Sequence, residues 1–166
     1  MTMIVEEIAT PIGTLTLAQA ADALVHVAFD GAWNETPLAA IYGPASSPPS
    51  ESEALKRVRA YFDGDLRAID AIPVSPRGTA FRLAVWDAMR AIPPGEPVSY
   101  AELAARAGRP SATRAAGTAC GANPIPVVVP CHRILRTGGG IGGYGGGLAA
   151  KRWLLAHEAA NANVRG

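Results

Sequence analysis

One short run, Pro130–Arg133, holds the residue types in this chain that are best suited to chemistry. A cysteine acts as a nucleophile only as its thiolate, and nearby positive charge lowers the pKa of a thiol. Cys131 is followed by an imidazole and a guanidinium, which indicates a reactive sulfur, although a small buried cysteine is the commoner case. Adjacent side chains of an extended chain point in opposite directions, so Cys131 and His132 can meet only if a turn or helix begins after Pro130.

The same histidine is compatible with a structural role in the core or with metal binding. The chain has 2 cysteines and 3 histidines, and they lack the paired spacing of zinc ligands. We therefore expect no metal site, and we expect no cofactor. Cys120 and Cys131 are expected to remain thiols, because the chain shows no signal peptide and is predicted to be cytoplasmic, where disulfides are rare.

An apolar segment precedes the run, and a glycine-rich segment follows it. Val127–Val129 is predicted as a short buried strand. Residues 138–147 contain eight glycines in ten positions, with Ile141 and Tyr144 as the exceptions. Glycine lets backbone amides approach a ligand closely, whereas a flexible linker is the simpler explanation of such a segment. The isoleucine and the tyrosine favour an ordered loop.

Helices are predicted on both sides of these segments. Ser99 and Glu102 form a capping-box pattern, which predicts the start of a short helix. Ser111 is predicted to cap a second short helix that reaches Cys120. Two short helices joined by a tight turn are typical of a helix-turn-helix, although many such pairs bind nothing. Two further helices are predicted over residues 81–89 and 148–160.

The N-terminal half has a different pattern. Alternating polar and apolar residues predict β-strands within residues 1–30, with a turn at Pro11–Gly13. Ser50 or Ser52 is predicted to cap a helix that ends before Gly64. This half is therefore expected to combine a sheet with a helix.

Charge divides the chain at about the same place. A linker is predicted at residues 73–78, which gives two domains, 1–75 and 76–166. Residues 1–75 carry 4 Lys/Arg and 10 Asp/Glu, a net −6, whereas residues 76–166 carry 11 and 4, a net +7. A basic half suggests a polyanionic partner, or no more than a solvated arginine-rich surface. No stretch approaches the roughly 20 apolar residues of a membrane span.

A longer pattern surrounds the cysteine and resembles that of the O6-alkylguanine-DNA alkyltransferase (methylated-DNA–protein-cysteine methyltransferase) family. The similar segments are Phe81–Trp86, Ile92–Gly95, Ser99–Tyr100, Asn123–Pro124, Val127–Arg133, Gly143–Leu148, Lys151 and Leu154–Glu158. The resemblance is nearly ungapped from about residue 79 to 160 and covers the first 75 residues only loosely.

The resemblance implies an α+β fold with two domains. Domain 1–75 would be an antiparallel β-sheet with a helix, similar to ribonuclease H, that supports its neighbour. Domain 76–166 would be mostly helical and winged-helix-like, with a helix-turn-helix, and would bind DNA and carry the alkyl acceptor. The implied partner is double-stranded DNA containing O6-alkylguanine. The protein would bind it as a monomer and would not associate with a membrane.

The resemblance also implies a reaction. Cys131 would accept the alkyl group of O6-alkylguanine, and of O4-alkylthymine, in one irreversible step that consumes the protein. His132 would take the thiol proton through a water, and Glu158 would orient the imidazole. Tyr100 would donate a proton to the guanine ring, and Asn123 would brace the turn that carries the cysteine. Without the resemblance, Glu158 and Tyr100 would be ordinary helix residues and Asn123 an ordinary turn residue.

A damaged base must leave the duplex to reach a protein sulfur, so the resemblance implies base flipping. Tyr144 would line the pocket, the Gly145 amide would bind O6, and the carbonyls of Cys131 and Ile134 would accept from the guanine amino group. Arg114 would fill the vacated stack from a helix in the minor groove, whereas without the resemblance it would be a phosphate-contacting surface arginine. The implied DNA contacts are Ser111, Ala112, Thr113, Arg114 and Arg133.

The chain departs from the family pattern near the proposed pocket. Gly145 stands where many relatives have serine, and Arg136 adds a charge near the pocket rim whose role the sequence leaves open.

A relative that only marks lesions would lack the cysteine. A DNA-binding regulator would need no Cys-His-Glu set, and a cysteine hydrolase would need an oxyanion hole and turnover. Repair of DNA by alkyl transfer is the function that the sequence favours.

Overall fold

A computed structural model describes residues 2–162 of the chain. Within that range the protein is α+β, with six α-helices and six β-strands. It divides into two compact units, Met1–Pro76 and Arg77–Gly166. None of the described helices is long and apolar enough to cross a membrane.

The first unit is built on a four-stranded sheet. Its first three strands, β1 (Met3–Thr10), β2 (Gly13–Ala20) and β3 (Ala23–Ala28), are consecutive and antiparallel, as the alternating pattern predicted. The turn between β1 and β2 ends at Gly13, whose φ of 101° favours glycine. A short strand β4 (Ala45–Ser46) lies parallel to β1, so the sheet is mixed rather than purely antiparallel as predicted.

Two α-helices accompany this sheet in the first unit. Helix α1 (Glu35–Tyr42) was not predicted, because it has no fully buried residue and so no clear apolar period. Helix α2 (Glu53–Phe62) was predicted, and Ser52 caps it: the Ser52 hydroxyl oxygen accepts from the Leu55 amide at 3.2 Å. A short 3-10 helix, Ala68–Ala71, follows.

The second unit consists of four α-helices and a two-stranded parallel ribbon. In chain order these are α3 (Ala80–Arg90), β5 (Val98–Ser99), α4 (Tyr100–Arg106), α5 (Thr113–Gly121), β6 (Ile134–Leu135) and α6 (Leu148–Asn161). Val98 pairs with Ile134 in the ribbon, so the start of α4 is held beside the segment that follows Arg133. Trp86 ties α3 to α5, since its indole Nε1 donates to the Ala119 carbonyl at 2.9 Å.

The predicted helix caps of the second unit were right in one case and wrong in the other. Ser99 caps α4, because its hydroxyl oxygen accepts from the Glu102 amide at 3.0 Å. Ser111 does not cap α5; the helix begins at Thr113 after Ala112, with no side-chain cap.

The predicted strand at Val127–Val129 was also wrong. All three valines are buried, as expected, but they form turns, and Val127 has a φ of 72°. The Val129 amide donates to the Ile125 carbonyl at 2.9 Å, so the segment bonds to its own loop. The valines are apolar because they are buried, and the segment belongs to neither of the two described sheets.

Candidate active site

The segment that carries the cysteine is a braced turn. Cys131–Arg133 forms a 3-10 helix, so the turn that a Cys–His contact requires is present. Asn123 fixes the loop before it: Nδ2 donates to the Val129 carbonyl at 2.8 Å, and Oδ1 accepts from the Ile125 amide at 3.0 Å. These bonds satisfy backbone groups that no strand pairs, and they hold the chain that leads into the cysteine.

Cys131 is buried, with 8% of the residue exposed to solvent. A hydrogen bond from the Cys120 thiol lowers the pKa of Cys131, and with the Asn123 side chain and the Lys151 charge it outweighs burial, which raises that pKa. The same hydrogen bond, together with burial, raises the pKa of Cys120. When the pair loses a proton, Cys131 therefore becomes the thiolate, the form that acts as a nucleophile.

His132 is bound to Glu158 of α6 inside the protein. The histidine is fully buried, and its Nε2 lies 2.7 Å from Oε2 of Glu158. An ionised carboxylate only accepts hydrogen bonds, so the network assigns the proton to Nε2. Nδ1 is buried and makes no hydrogen bond to any of the described residues. The ring nitrogen that can take up a proton is therefore Nδ1.

The charge states of this pair follow from its surroundings. Burial lowers the pKa of His132, and this outweighs the opposing influence of the Glu158 carboxylate. Burial raises the pKa of Glu158, but His132 and Arg133 together hold it well below its usual range. At neutral pH the arrangement is a neutral imidazole on an ionised carboxylate, which holds the imidazole in one orientation and leaves it able to accept a proton.

Arg133 lies inside the protein, and the prediction that it contacts DNA was wrong. The residue is 1% exposed, its Nε and Nη2 each donate to a carboxylate oxygen of Glu158 at 2.9 Å, and its Nη1 donates to the Ile92 carbonyl at 2.7 Å. This bidentate contact offsets the free-energy cost of burying the charged Glu158 carboxylate. Arg133 therefore holds Glu158 in place for His132.

Lys151 is a further buried charged residue, and sequence reasoning gave it no role. It is fully buried on α6, and its Nζ donates to the carbonyls of Ile134 at 2.7 Å and Gly143 at 3.2 Å. It therefore connects β6 to the glycine-rich segment. Burial lowers its pKa. Spacing could have indicated this residue, because positions 151, 154 and 158 share one helix face, and Glu158 on that face is buried too.

Two tyrosines flank the cluster. The ring of Tyr144 meets the His132 ring edge to face, with centroids 6.4 Å apart and planes at 90°. Tyr100 lies on the first turn of α4, and a Cβ added at Gly142 would stand 3.2 Å from its hydroxyl oxygen. The glycine-rich segment thus comes close to both phenols, and Gly145 is exposed within it. Burial raises the pKa of Tyr100 and raises that of Tyr144 more strongly, so both stay protonated and can donate.

An open cleft of about 520 Å³ adjoins Tyr100. Its lining residues are Tyr100, Thr113, Arg114, Gly117, Thr118, Arg136 and Thr137. Arg114 and Arg136 are exposed, and neither forms an ion pair with a carboxylate in the described part of the chain. Two guanidinium groups and four hydroxyl groups, with no carboxylate, favour an anionic ligand.

The structure thus gathers most of the residues that the sequence singled out. Cys131, His132, Glu158 and Asn123 form one cluster, with the two tyrosines beside it. Ser111, Ala112, Thr113 and Arg114 follow one another at the start of α5, and Ser111 is exposed. Within residues 2–162, no group of three or more His, Cys, Asp or Glu side chains could hold a metal ion.

Known proteins of similar sequence share one name. Residues 80–160 match the family model described as 6-O-methylguanine DNA methyltransferase, DNA binding domain. A methylated-DNA–protein-cysteine methyltransferase of Haemophilus influenzae is 39% identical over 153 residues, which covers 90% of this chain and 82% of that protein. A protein of the same name from Salmonella typhimurium is 52% identical over 98 residues, and the match spans 59% of this chain but only 57% of the relative.

Solved structures agree with the sequence matches. The crystal structure of Mycobacterium tuberculosis O6-methylguanine methyltransferase has a TM-score of 0.80 to this chain at 37% identity, covering 96% of this chain and 94% of that one. The structure of Mycobacterium tuberculosis OGT in complex with DNA has the same TM-score and covers 97% of this chain and 94% of that one.

Proposed function

The chain belongs to the methylated-DNA–protein-cysteine methyltransferase family, and we propose that it repairs O6-alkylguanine in DNA by transferring the alkyl group to Cys131. One observation carries this proposal. His132 offers an unbonded Nδ1 next to the cysteine in sequence, while its Nε2 is fixed on the buried Glu158. A thiol with a lowered pKa beside such a base is equipped to attack an electrophilic carbon.

The proposed reaction is a single displacement. The sulfur of Cys131 forms a bond to the alkyl carbon as the bond from that carbon to guanine O6 breaks, and the electron pair leaves with the base. The thiol proton passes through a water to Nδ1 of His132, and Glu158 stabilises the imidazolium that results. Tyr100 donates its phenolic proton to the guanine ring as negative charge develops there. The product is a thioether at Cys131, so each molecule acts once.

The damaged base would enter a pocket formed by the cysteine turn and the glycine-rich segment. Tyr144 lines this pocket, and the exposed backbone of Gly145 lets its amide reach O6. The guanine amino group donates to the carbonyls of Cys131 and Ile134. The Ile134 carbonyl already accepts from Lys151, but its oxygen has a second lone pair. Because these contacts require an extruded base, base flipping belongs to the proposal.

The cleft beside Tyr100 is the proposed DNA interface. Arg114 enters the minor groove and fills the space that the flipped base leaves, with Ser111, Ala112 and Thr113 against the backbone. Arg136 lines the same cleft and would contact a phosphate next to the target nucleotide. A DNA complex of a Mycobacterium tuberculosis relative supports DNA as the partner.

The proposal extends to the architecture of the two units and to a second substrate. We infer that the second unit is winged-helix-like, that the first is ribonuclease-H-like and supports it, and that a monomer acts. O4-alkylthymine is the expected second substrate, because it presents the same alkyl–oxygen bond to the thiol.

Mass spectrometry tests the proposal directly. The protein is incubated with a duplex containing one O6-methylguanine, digested, and its cysteine peptides are weighed. We expect one added methyl group on the Cys131 peptide, an unmodified Cys120 peptide, and no gain in Cys131→Ser. Tight binding of the damaged duplex with an intact Cys131 thiol would contradict repair and would instead favour a protein that only marks the lesion.

A further inference from the structure

The second cysteine of the chain lies against the reactive one, although alkyl transfer needs only one. Cys120 occupies the last turn of α5 and is 8% exposed. Its thiol donates to the backbone carbonyl of Cys131, with 3.8 Å between the Cys120 sulfur and that oxygen, so the two cysteines are direct neighbours in space. Both cysteines are free thiols. A disulfide forms from two neighbouring thiols, one of them favoured as the thiolate.

The environment assigns different tasks to the two sulfurs. The hydrogen bond that lowers the pKa of Cys131 leaves the proton on Cys120, so Cys131 is the sulfur that a peroxide oxidises first. Met89 also adjoins Cys120, with its Sδ 4.0 Å from the Cys120 sulfur. An oxidised Cys131 would therefore have the Cys120 thiol as a close neighbour.

We propose that Cys120 is a resolving cysteine, which converts a peroxide-oxidised Cys131 into a Cys120–Cys131 disulfide. In the first step the Cys131 thiolate attacks a hydroperoxide: an S–O bond forms, the O–O bond breaks, and the leaving alkoxide or hydroxide takes a proton from water. In the second step Cys120 attacks the sulfenic sulfur: the S–S bond forms, the S–O bond breaks, and the hydroxide leaves as water with the Cys120 proton. Two thiols are oxidised and one hydroperoxide is reduced.

The disulfide would protect the acceptor sulfur in a form that can be recovered. A sulfenic acid left without a thiol partner is oxidised further to sulfinic and sulfonic acids, which thiol reductants do not reverse. A disulfide is returned to two thiols by exchange with a dithiol. A disulfide-bonded Cys131 cannot accept an alkyl group, and this consequence for repair rests on the proposed function. The formation of the disulfide is independent of the proposed function.

Peptide mapping under non-reducing conditions tests the chemistry. The reduced, full-length protein is treated with hydrogen peroxide, alkylated and digested. We expect a peptide cross-linked through Cys120 and Cys131 within one chain, and complete return of both thiols after dithiothreitol. In Cys120→Ser we expect sulfinic and sulfonic acid at Cys131, and in Cys131→Ser an unoxidised Cys120. Equal overoxidation of Cys131 in wild type and Cys120→Ser, or a cross-link only between chains, would overturn the proposal.

A parallel methyl-transfer assay separates this inference from the proposed function. Peroxide-treated wild type should lose methyl transfer from an O6-methylguanine duplex and regain it after dithiothreitol, whereas treated Cys120→Ser should lose it permanently. If the untreated, reduced protein takes no methyl group, the proposed function fails, and the peptide map still decides the disulfide. If treated wild type carries the disulfide and still accepts methyl at the full rate, the link to repair is wrong.

Discussion

Nε2 of His132 lies 2.7 Å from Oε2 of Glu158, and neither side chain reaches solvent. The same carboxylate accepts two hydrogen bonds from Arg133. One buried anion thus orients the base and is itself held by a guanidinium. Because the anion belongs to α6 and its two partners to the cysteine turn, the final helix must be in place before the base is correctly oriented.

Replacement of Glu158 by Gln should therefore affect both rate and stability. The amide cannot stabilise an imidazolium, so we expect alkyl transfer to slow by a factor of the order of 10². Arg133 would be left as a buried uncompensated cation, and we expect the free energy of unfolding to fall by about 3 kcal/mol. Single-turnover transfer and urea unfolding measure the two effects.

The control for this variant is Glu102→Gln. Glu102 is exposed, and its ion-pair partner among residues 2–162 is Arg106 on the same helix, so its loss should cost about 0.5 kcal/mol and leave the rate unchanged. An unaltered transfer rate in Glu158→Gln, measured where the variant is folded, would remove the carboxylate from the proposed relay.

The pH dependence of Cys131 should depend on Cys120. The Cys120 hydrogen bond favours the Cys131 thiolate, so the rate of Cys131 alkylation by iodoacetamide should reach half its maximum below pH 9.0, the ordinary thiol pKa. Cys120→Ala removes the donor, and the midpoint should rise. Cys120→Ser keeps a hydroxyl donor, and its midpoint should stay close to that of the wild type. Peptide masses follow the reaction at each cysteine separately, and identical midpoints in all three proteins would contradict the role of the hydrogen bond.

Features that depend on neighbouring residues in the chain were predictable from the sequence. The caps at Ser52 and Ser99 were found because a hydroxyl, a short spacing and an apolar period suffice to indicate a helix start. The strands of the first unit followed from their alternation. The turn after Pro130 was recognised as a requirement, since without it Cys131 and its neighbour could not share a site.

Features that depend on distant residues were not predictable in this way. The resemblance implied that Arg133 contacts DNA, whereas the side chain is buried because it pairs with Glu158, 25 positions later. The Val127–Val129 run is apolar in a strand and in a buried turn alike, so pattern could not distinguish the two. The contact between Cys120 and Cys131 depends on how α5 packs against the cysteine turn, which no local signal encodes.

Arg114→Ala should separate DNA handling from chemistry. Arg114 is exposed in the cleft, whereas Cys131, His132 and Glu158 are buried, so its loss should leave the reaction with free O6-benzylguanine unchanged. Repair in duplex DNA should slow by roughly tenfold or more, because the vacated stack would no longer be filled. Arg152→Ala, an exposed arginine on α6, is the matched control. Equal losses with both substrates would show that Arg114 does not act as the finger.

Arg136→Gln should weaken binding to DNA of any sequence. If the guanidinium contacts one phosphate, the slope of log binding constant against log salt concentration should decrease in magnitude by about 1. Arg136→Lys keeps the charge and should keep the slope. Fluorescence anisotropy with an undamaged duplex, measured at several salt concentrations, gives the value, and Arg152→Gln controls for general loss of charge. A slope identical to that of the wild type would place Arg136 away from the backbone.

Lys151→Met tests whether the buried lysine holds the glycine-rich segment on the site. Methionine is close to lysine in length but donates no hydrogen bond, so the carbonyls of Ile134 and Gly143 would lose their partner. An unsatisfied buried carbonyl costs about 1–3 kcal/mol, and we expect a loss of that size in the free energy of unfolding. We also expect faster proteolysis within residues 138–147 and slower alkyl transfer, since Tyr144 would no longer be positioned against His132.

The control is Lys56→Met. Lys56 is exposed and is the other lysine of the chain, so its replacement should change none of these quantities. Unchanged proteolysis and transfer in Lys151→Met would mean that the segment is held by its own turns, and that the lysine merely fills space beneath it.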